Sequence, residues 1–362
     1  MKIVYFLRDI SDCGGIQQTT CNIINGLLEQ KDYEITTISI YHHSHETFFP
    51  LNKKVEKIAL FEKPVDQRFS FFRIKNRMKK ALSSLSYDLL IVQGSLFSNF
   101  IPSFAWKKNN VIVCEHGHYD MGTNIGLHAM GRNKAVKNAR AIVSLTELDR
   151  DVYQSHCKND VIVKAIPNQY IELDFEPIYN VDSKTIVSCG RLDNIKQFDQ
   201  VVNTAKNVIT KYPNWKWCIY GDGPNKELLQ KQIDDHGLHE KVILCGHENN
   251  KKIIYGDKAF LVLTSKFEGF GMVLIEALQF KLPLISYDVK FGPKEIVVEN
   301  YNGHLVPPND TQKLADAVCE LIENKEERIK LSNNSIKSLE RFSRSNVTKK
   351  WIELFEKIAV KE

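Results

Sequence analysis

Short β-branched apolar runs alternate with stretches of helical spacing along almost the whole chain, and the alternation starts twice. Such a pattern commits a chain to parallel strands, because parallel neighbours cannot be joined by hairpins and need crossover helices. In the first series, strands are expected at residues 2–7, 34–40, 55–60, 88–93, 111–114, 141–145 and 161–165, with helices at 16–29, 71–85, 124–138 and 147–156. Residues 170–185 contain Pro177, several acids and little periodicity, and read as a linker. The second series places strands at 185–189, 215–221, 241–246, 259–263, 283–287 and 303–306. Its helices fall at 198–212, 225–236, 272–280 and 293–298, and the chain is helical from Thr311 on. A length of 362 residues exceeds what one core usually fills,. The expected fold class is therefore α/β, with two Rossmann-like, doubly wound domains.

Within the second series, residues 265–283 read S-K-F-E-G-F-G-M-V-L-I-E-A-L-Q-F-K-L-P. A buried strand leads into a loop loosened by Gly269 and Gly271, and the loop opens onto a helix from Met272. The free N–H groups and dipole of such a helix end attract anions. Glu268 lies in the loop and Glu276 two turns down a helix that is apolar on all sides. A carboxylate there needs a partner. Either a structural cation or the hydroxyls of a ligand would serve.

Other strand ends carry candidates too, since ligands of open α/β sheets bind beyond the carboxyl ends of strands. Gly14-Gly15 precedes the first helix but forms neither G-x-G-x-x-G nor a P-loop,. Glu115-His116-Gly117-His118 follows a strand, and as a zinc site it lacks further ligands at suitable spacing,. Gly190, Arg191 and Lys196 precede the helix at 198, a place where acids would be usual,. Two cations there can hold a diphosphate, Arg by forked hydrogen bonds and Lys as a point charge; surface charge is the plain alternative. Gly246-His247-Glu248-Asn249 ends another strand. Asp149-Arg150-Asp151 is formally D-x-D, but it reads as a helix first turn capped by Thr146 rather than as a metal site,. His42, His43 and His45 read as an exposed loop.

The net charge of +5 permits an acidic partner without demanding one,. Eight cysteines occur without a C-x-x-C pair, and Cys114, Cys189, Cys218 and Cys245 fall in or beside strands as buried free thiols do,. A reduced cytoplasm fits. The N-terminal apolar run is too short for a signal peptide and no run approaches a membrane span,. Residues 68–80 carry Arg68, Arg73, Lys75, Arg77, Lys79 and Lys80, interleaved with Phe69, Phe71, Phe72, Ile74 and Met78. That composition suits peripheral contact with an anionic membrane, which would place the chain on the inner face of the cell membrane. A solvated helix packed by its apolar stripe is the alternative. No nucleic-acid-binding module is present.

E-G-F-G-M-V-L-I-E, together with G-R-L-D-N-I-K, E-H-G-H, the N-terminal G-G, G-P-K-E-I-V and N-G-H-L-V-P-P, resembles the retaining nucleotide-sugar glycosyltransferases of family four. G-P-K-E-I-V is similar to the bacterial surface-polysaccharide enzymes of that family, which build lipopolysaccharide or capsule. The resemblance implies a GT-B fold, two domains facing across a cleft. Residues 1–170 would bind the acceptor and 171–342 the nucleotide sugar. The helix at about 343–362, with Trp351, Leu354, Phe355 and Ile358, would pack back on the first domain. It implies transfer of a hexose of the glucose, galactose or N-acetyl kind from a UDP-sugar to a hydroxyl of a glycan or lipid-linked acceptor. A catalytically inactive shell, binding a sugar nucleotide or a membrane surface, is the alternative. The matching residues are His116, Arg191, Lys196 and Glu268 for catalysis. For donor binding they are Gly15, Gly190, Arg191, Lys196 and His247, with Phe270, Gly271, Met272, Val273 and Glu276. The implied chemistry needs no metal and no cofactor beyond the donor. One departure stands out: where the family commonly has Lys-Gly, this chain has Lys196-Gln197.

Overall fold

The computed structural model describes residues 1–120, 125–158 and 160–359. The chain divides into two units, residues 1–171 with 342–362, and residues 172–341. The first unit begins β1 (Lys2–Leu7), α1 (Gly15–Gln30), β2 (Glu34–Tyr41), β3 (Glu56–Phe61), α2 (Phe71–Ser84) and β4 (Leu89–Gln93). It continues α3 (Ser103–Lys107), β5 (Val111–Cys114), α4 (Gly126–Asn138), β6 (Ala141–Ser144), α5 (Glu147–His156) and β7 (Ile162–Ala165). The second unit begins β8 (Thr185–Cys189), α6 (Phe198–Lys211), β9 (Lys216–Tyr220), α7 (Lys226–Asp235), β10 (Val242–Gly246) and β11 (Phe260–Leu263). There follow α8 (Met272–Gln279), β12 (Leu284–Tyr287), α9 (Pro293–Ile296), β13 (Gly303–Val306), α10 (Thr311–Glu323) and α11 (Lys325–Leu339). The last helix, α12 (Arg344–Ala359), belongs to the first unit.

Each unit is built on one wholly parallel sheet. The order is β3-β2-β1-β4-β5-β6-β7 in the first and β10-β9-β8-β11-β12-β13 in the second. Strands of such sheets are covered on both faces, which is why they read as unbroken apolar runs. The period of two is visible along β1: Ile3 and Tyr5 join a core with Ile24 of α1 and Trp351 and Phe355 of α12. Val4 and Phe6 join the opposite core, with Ile74, Met78 and Leu82 of α2,. In the second unit, Ile186, Trp217, Phe260 and Ile285 pack beneath α6 and α10 through Val201, Val208, Leu314 and Val318.

Strand order reverses between β1 and β4 and again between β8 and β11. At such a reversal the loops after the two central strands diverge and leave a crevice at their carboxyl ends. In the second unit those loops carry Gly190, Arg191 and Lys196 on one side and Ser265, Glu268 and Phe270 on the other.

Four local expectations change. The helix expected from residue 124 is described from Gly126, and Asn124 lies outside the described residues. The short helix after Gly292 ends at Ile296 rather than at residue 298. A 3-10 turn at Ser95–Phe100, α3, and a π-turn at Lys252–Gly256 add to the expected elements. Cys114 and Cys189 are buried, but Cys218 and Cys245 are only half-buried, on the edge strand β10 and its neighbour β9. Among the described residues, no helix is long and apolar enough to cross a membrane.

Candidate functional site

The loop between β8 and α6 is fixed by hydrogen bonds before any side chain reaches outward. Asp193 Oδ1 accepts from Ile195 N at 3.0 Å and Lys196 N at 3.2 Å. Thr264, fully buried at the end of β11, donates through Oγ1 to Lys196 O at 2.9 Å and Gln197 O at 3.1 Å. Lys266 N donates to Ile195 O at 2.7 Å. The two loops at the strand-order reversal are thus tied together, and the tie delivers Lys196 to Glu268. Lys196 Nζ lies 2.5 Å from Glu268 Oε1, which also accepts from Ser265 Oγ at 2.6 Å. The pair is largely shielded, with side chains 19% and 9% exposed.

Gly271 caps α8 in the left-handed region at φ 99°, and Phe270 is buried beside it. The loop leading into the helix is pressed by the turn at Gly292, whose φ is 85°. A Cβ at Gly292 would lie 2.7 Å from Phe270 O and 3.0 Å from Glu268 Cβ, so only glycine lets the G-P-K-E turn lie against the Glu268 loop,. A closer approach occurs at the ends of β8 and β9. There a Cβ on Gly221 would stand 1.8 Å from Gly190 O.

Beyond these strand ends lies a cavity of about 350 Å³. Its floor includes Cys189, Gly190 and Gly221, and its wall includes Arg191, His247, Val273 and Glu276. Arg191 is exposed, its only ion pair among the described residues being a loose 3.8 Å contact with Asp193. Glu276 meets a structural cation, one of the two partners expected for it, and a protein hydroxyl besides. Its Oε1 lies 2.7 Å from Lys251 Nζ, and its Oε2 accepts from Tyr255 OH at 2.7 Å. Lys251, Tyr255, Tyr220 and Ile254 also line the cavity and were not singled out from the sequence, and Glu248 of the expected strand-end loop lines it too. They come from the π-turn and the strand ends around it, and a single turn of chain leaves no periodic signal.

Of the sequence candidates, Gly190, Arg191, His247, Val273 and Glu276 line this one cavity, while Lys196, Glu268, Phe270 and Gly271 belong to the adjoining loops and Met272 opens α8. Gly15 and His116 belong to the first unit. Gly15 opens α1 after the Gly14 N-cap. His116 follows β5, and its Nε2 lies 2.6 Å from Gln93 Oε1 at the end of β4. Glu115 steadies the turn, accepting from His116 N at 3.1 Å and from Tyr153 OH at 3.1 Å. Burial pushes the His116 imidazole down to about 4, against the opposing pull of Glu115, so it is neutral at pH 7,.

Thr146 does cap α5, accepting from Asp149 N. Asp149 is buried and accepts from Tyr119 N at 2.8 Å, whereas Asp151 is exposed and pairs with Arg150. The His42–His45 loop is exposed at His43 and His45, as expected, and is tied down at one point. His43 Nδ1 lies 2.7 Å from Asp9 Oδ2, and Asp9 is wholly buried.

Residues 171–338 match the family Glycosyl transferases group 1. An uncharacterized glycosyltransferase of Haemophilus influenzae is 27% identical, over 97% of this chain and 98% of its own length. A Campylobacter jejuni protein is 26% identical over 99% of both chains; it is named GalNAc-alpha-(1->4)-GalNAc-alpha-(1->3)-diNAcBac-PP-undecaprenol alpha-1,4-N-acetyl-D-galactosaminyltransferase. A TarM variant from S. aureus, solved with fondaparinux, alpha-GlcNAc-glycerol and UDP, superposes with a TM-score of 0.76 at 15% identity, over 98% of this chain and 99% of its own. The strand order, the placement of the six motifs and these matches agree: residues 171–338 are a glycosyl transferases group 1 domain, and the chain has the GT-B fold.

Proposed function

We propose that this chain moves a hexose of the glucose, galactose or N-acetyl kind from a UDP-sugar to a hydroxyl of a glycan or lipid-linked acceptor. The reaction retains the anomeric configuration, needs no metal or cofactor beyond the donor, and serves cell-surface polysaccharide synthesis. One observation carries the reading: an exposed arginine, a carboxylate on α8 and the glycine turns of β8 and β9 line one cavity at the strand-order reversal. That set matches a nucleoside diphosphate, with hydroxyls for Glu276 and phosphates for Arg191. The names of the Campylobacter jejuni relative and of the TarM complex support a lipid-linked acceptor and UDP.

In this reading UDP leaves with growing negative charge. Arg191, Lys196 and the amides at the start of α8 stabilise it, which is electrostatic catalysis by groups already in place. A diphosphate oxygen takes the acceptor proton on the face it has just left, so no side chain has to act as nucleophile. Glu268 holds Lys196 and borders the transferred sugar. The two glutamates serve different lysines, Lys196 and Lys251, which disfavours a paired-carboxylate hydrolase,. Gly15 and His116 enter through the family resemblance; His116 acts as a neutral hydrogen-bonding group.

The test is UDP release from a panel of UDP-sugars, with isolated lipid-linked acceptors and product identification by mass spectrometry and NMR. Lys196→Ala and Glu268→Ala should each lose transfer on the order of a hundredfold, with the fold intact by circular dichroism. Normal turnover in either variant, or an inverted product, would overturn the mechanism. Absence of UDP release from every donor would favour the inactive-shell alternative.

A further inference from the structure

We infer that Tyr255 and Lys251 are positioning residues that aim the Glu276 carboxylate, one on each oxygen, so that its remaining lone pairs face the cavity as a fork for the two ribose hydroxyls. The inference rests on the reading of the cavity as a UDP site. An ionised carboxylate offers about four lone-pair directions. Tyr255 OH takes one on Oε2 and Lys251 Nζ takes one on Oε1, each at 2.7 Å. One remains on each oxygen, which is the pattern a vicinal diol donates into.

The supporting structure is built for this. Tyr255 is 1% exposed and lies in the π-turn Lys252–Gly256, with Lys251 as its N-cap. Wide π-turns recur at functional sites because they re-aim side chains that an α-turn would place elsewhere. Here the turn delivers the Tyr255 hydroxyl between Cys189 at the end of β8 and Glu276 on α8. Cys189 Sγ lies 3.0 Å from that hydroxyl. Burial keeps the thiol protonated, pushing it up to about 12, and raises the Tyr255 phenol well above its ordinary value. The chain of donors therefore runs one way, from thiol to phenol to carboxylate. Lys251 is the exposed half of the clamp, with 42% of its side chain accessible against 19% for Glu276.

A purely structural Tyr255 would alter folding stability but not discrimination among nucleotides. The test measures calorimetric affinity of the full chain for UDP and for its dideoxy analogue, which lacks both ribose hydroxyls, in wild type, Tyr255→Phe, Lys251→Met, Lys251→Arg and Glu276→Gln. The wild type should prefer UDP. Tyr255→Phe and Lys251→Met should each lose about three- to tenfold in UDP affinity, the worth of one hydrogen bond. Their affinity for the dideoxy analogue should stay at the wild-type level, and Lys251→Arg should restore much of the preference. If Glu276→Gln abolishes the preference while Tyr255→Phe and Lys251→Met keep it, the inference fails and the UDP site stands. If the wild type binds both nucleotides equally, Glu276 is not the ribose acceptor, and the inference falls with that assignment.

Discussion

Gln197 adopts the left-handed conformation, φ 50° and ψ 45°, as the N-cap of α6. Glycine takes this conformation without penalty, whereas an L side chain pays about 1–2 kcal/mol. The departure from Lys-Gly in sequence is therefore not a departure in backbone. The turn that delivers Lys196 is kept, held by Thr264 and Asp193. Gln197→Gly should leave activity and melting temperature near wild type, because the backbone relief is offset by the lost Gln197 Nε2–Asn309 Oδ1 hydrogen bond and by the larger unfolded-state entropy of glycine,. Gln197→Val, stiffer at χ1 and also without that hydrogen bond, should lower the melting temperature, read by thermal denaturation. His116 gives a second residue-scale prediction. Unfolded, its imidazole takes a proton near 6.5, and folded only near 4. Between these values the unfolded chain binds the extra proton, so stability should fall as pH drops through that window and be fully present above it. Melting temperature against pH should flatten over the same window in His116→Gln; parallel curves would contradict the half-buried, neutral histidine. Glu276 was legible in sequence as a carboxylate in need of a partner. Lys251 and Tyr255 were not, because one turn of π-helix carries no period and their meeting with α8 is a tertiary event.

At the scale of elements, strands and long helices were readable, many to within a residue at their ends. Lys2–Leu7, Val111–Cys114, Glu147–His156, Thr185–Cys189 and Gly303–Val306 coincide with their expected bounds. A sheet covered on both faces writes continuous apolar runs, and amphipathic helices write a stripe. The turn at Ser95–Phe100 and α3 span too few residues for either pattern. The basic helix α2 buries Ile74, Met78 and Leu82 and leaves Phe72 exposed, along with Phe69 just before it. Arg73 and Arg77 lie over the Phe61 ring, 5.4 and 4.3 Å from its centroid, so part of the charge is held against the protein. Arg68, Lys79, Lys80 and the two exposed phenylalanines remain a surface suited to an anionic bilayer,. Wild type should float with liposomes containing anionic lipid, and a variant with Arg68, Lys79 and Lys80 changed to Gln and Phe69 and Phe72 to Ser should not. Equal flotation of both would remove the membrane role of this surface.

At the scale of the molecule, two parallel sheets with separate cores each present a strand-order reversal. The candidate nucleotide cavity lies wholly within the second unit, residues 172–341. An alternation that starts twice suggested two units; the cavity was legible only in part, since its walls come from four separate stretches of that unit and the stretch with Lys251 and Tyr255 gave no signal. The proposed chemistry depends on this cavity taking UDP. Hydrogen exchange of the full chain with and without saturating UDP, read by mass spectrometry, tests it most directly. Bound UDP should slow exchange in residues 189–196, 220–222, 247–255 and 270–276, which hold the strand-end turns, the π-turn and the start of α8. Unchanged exchange in all four segments at a UDP concentration that supports binding or turnover would contradict it.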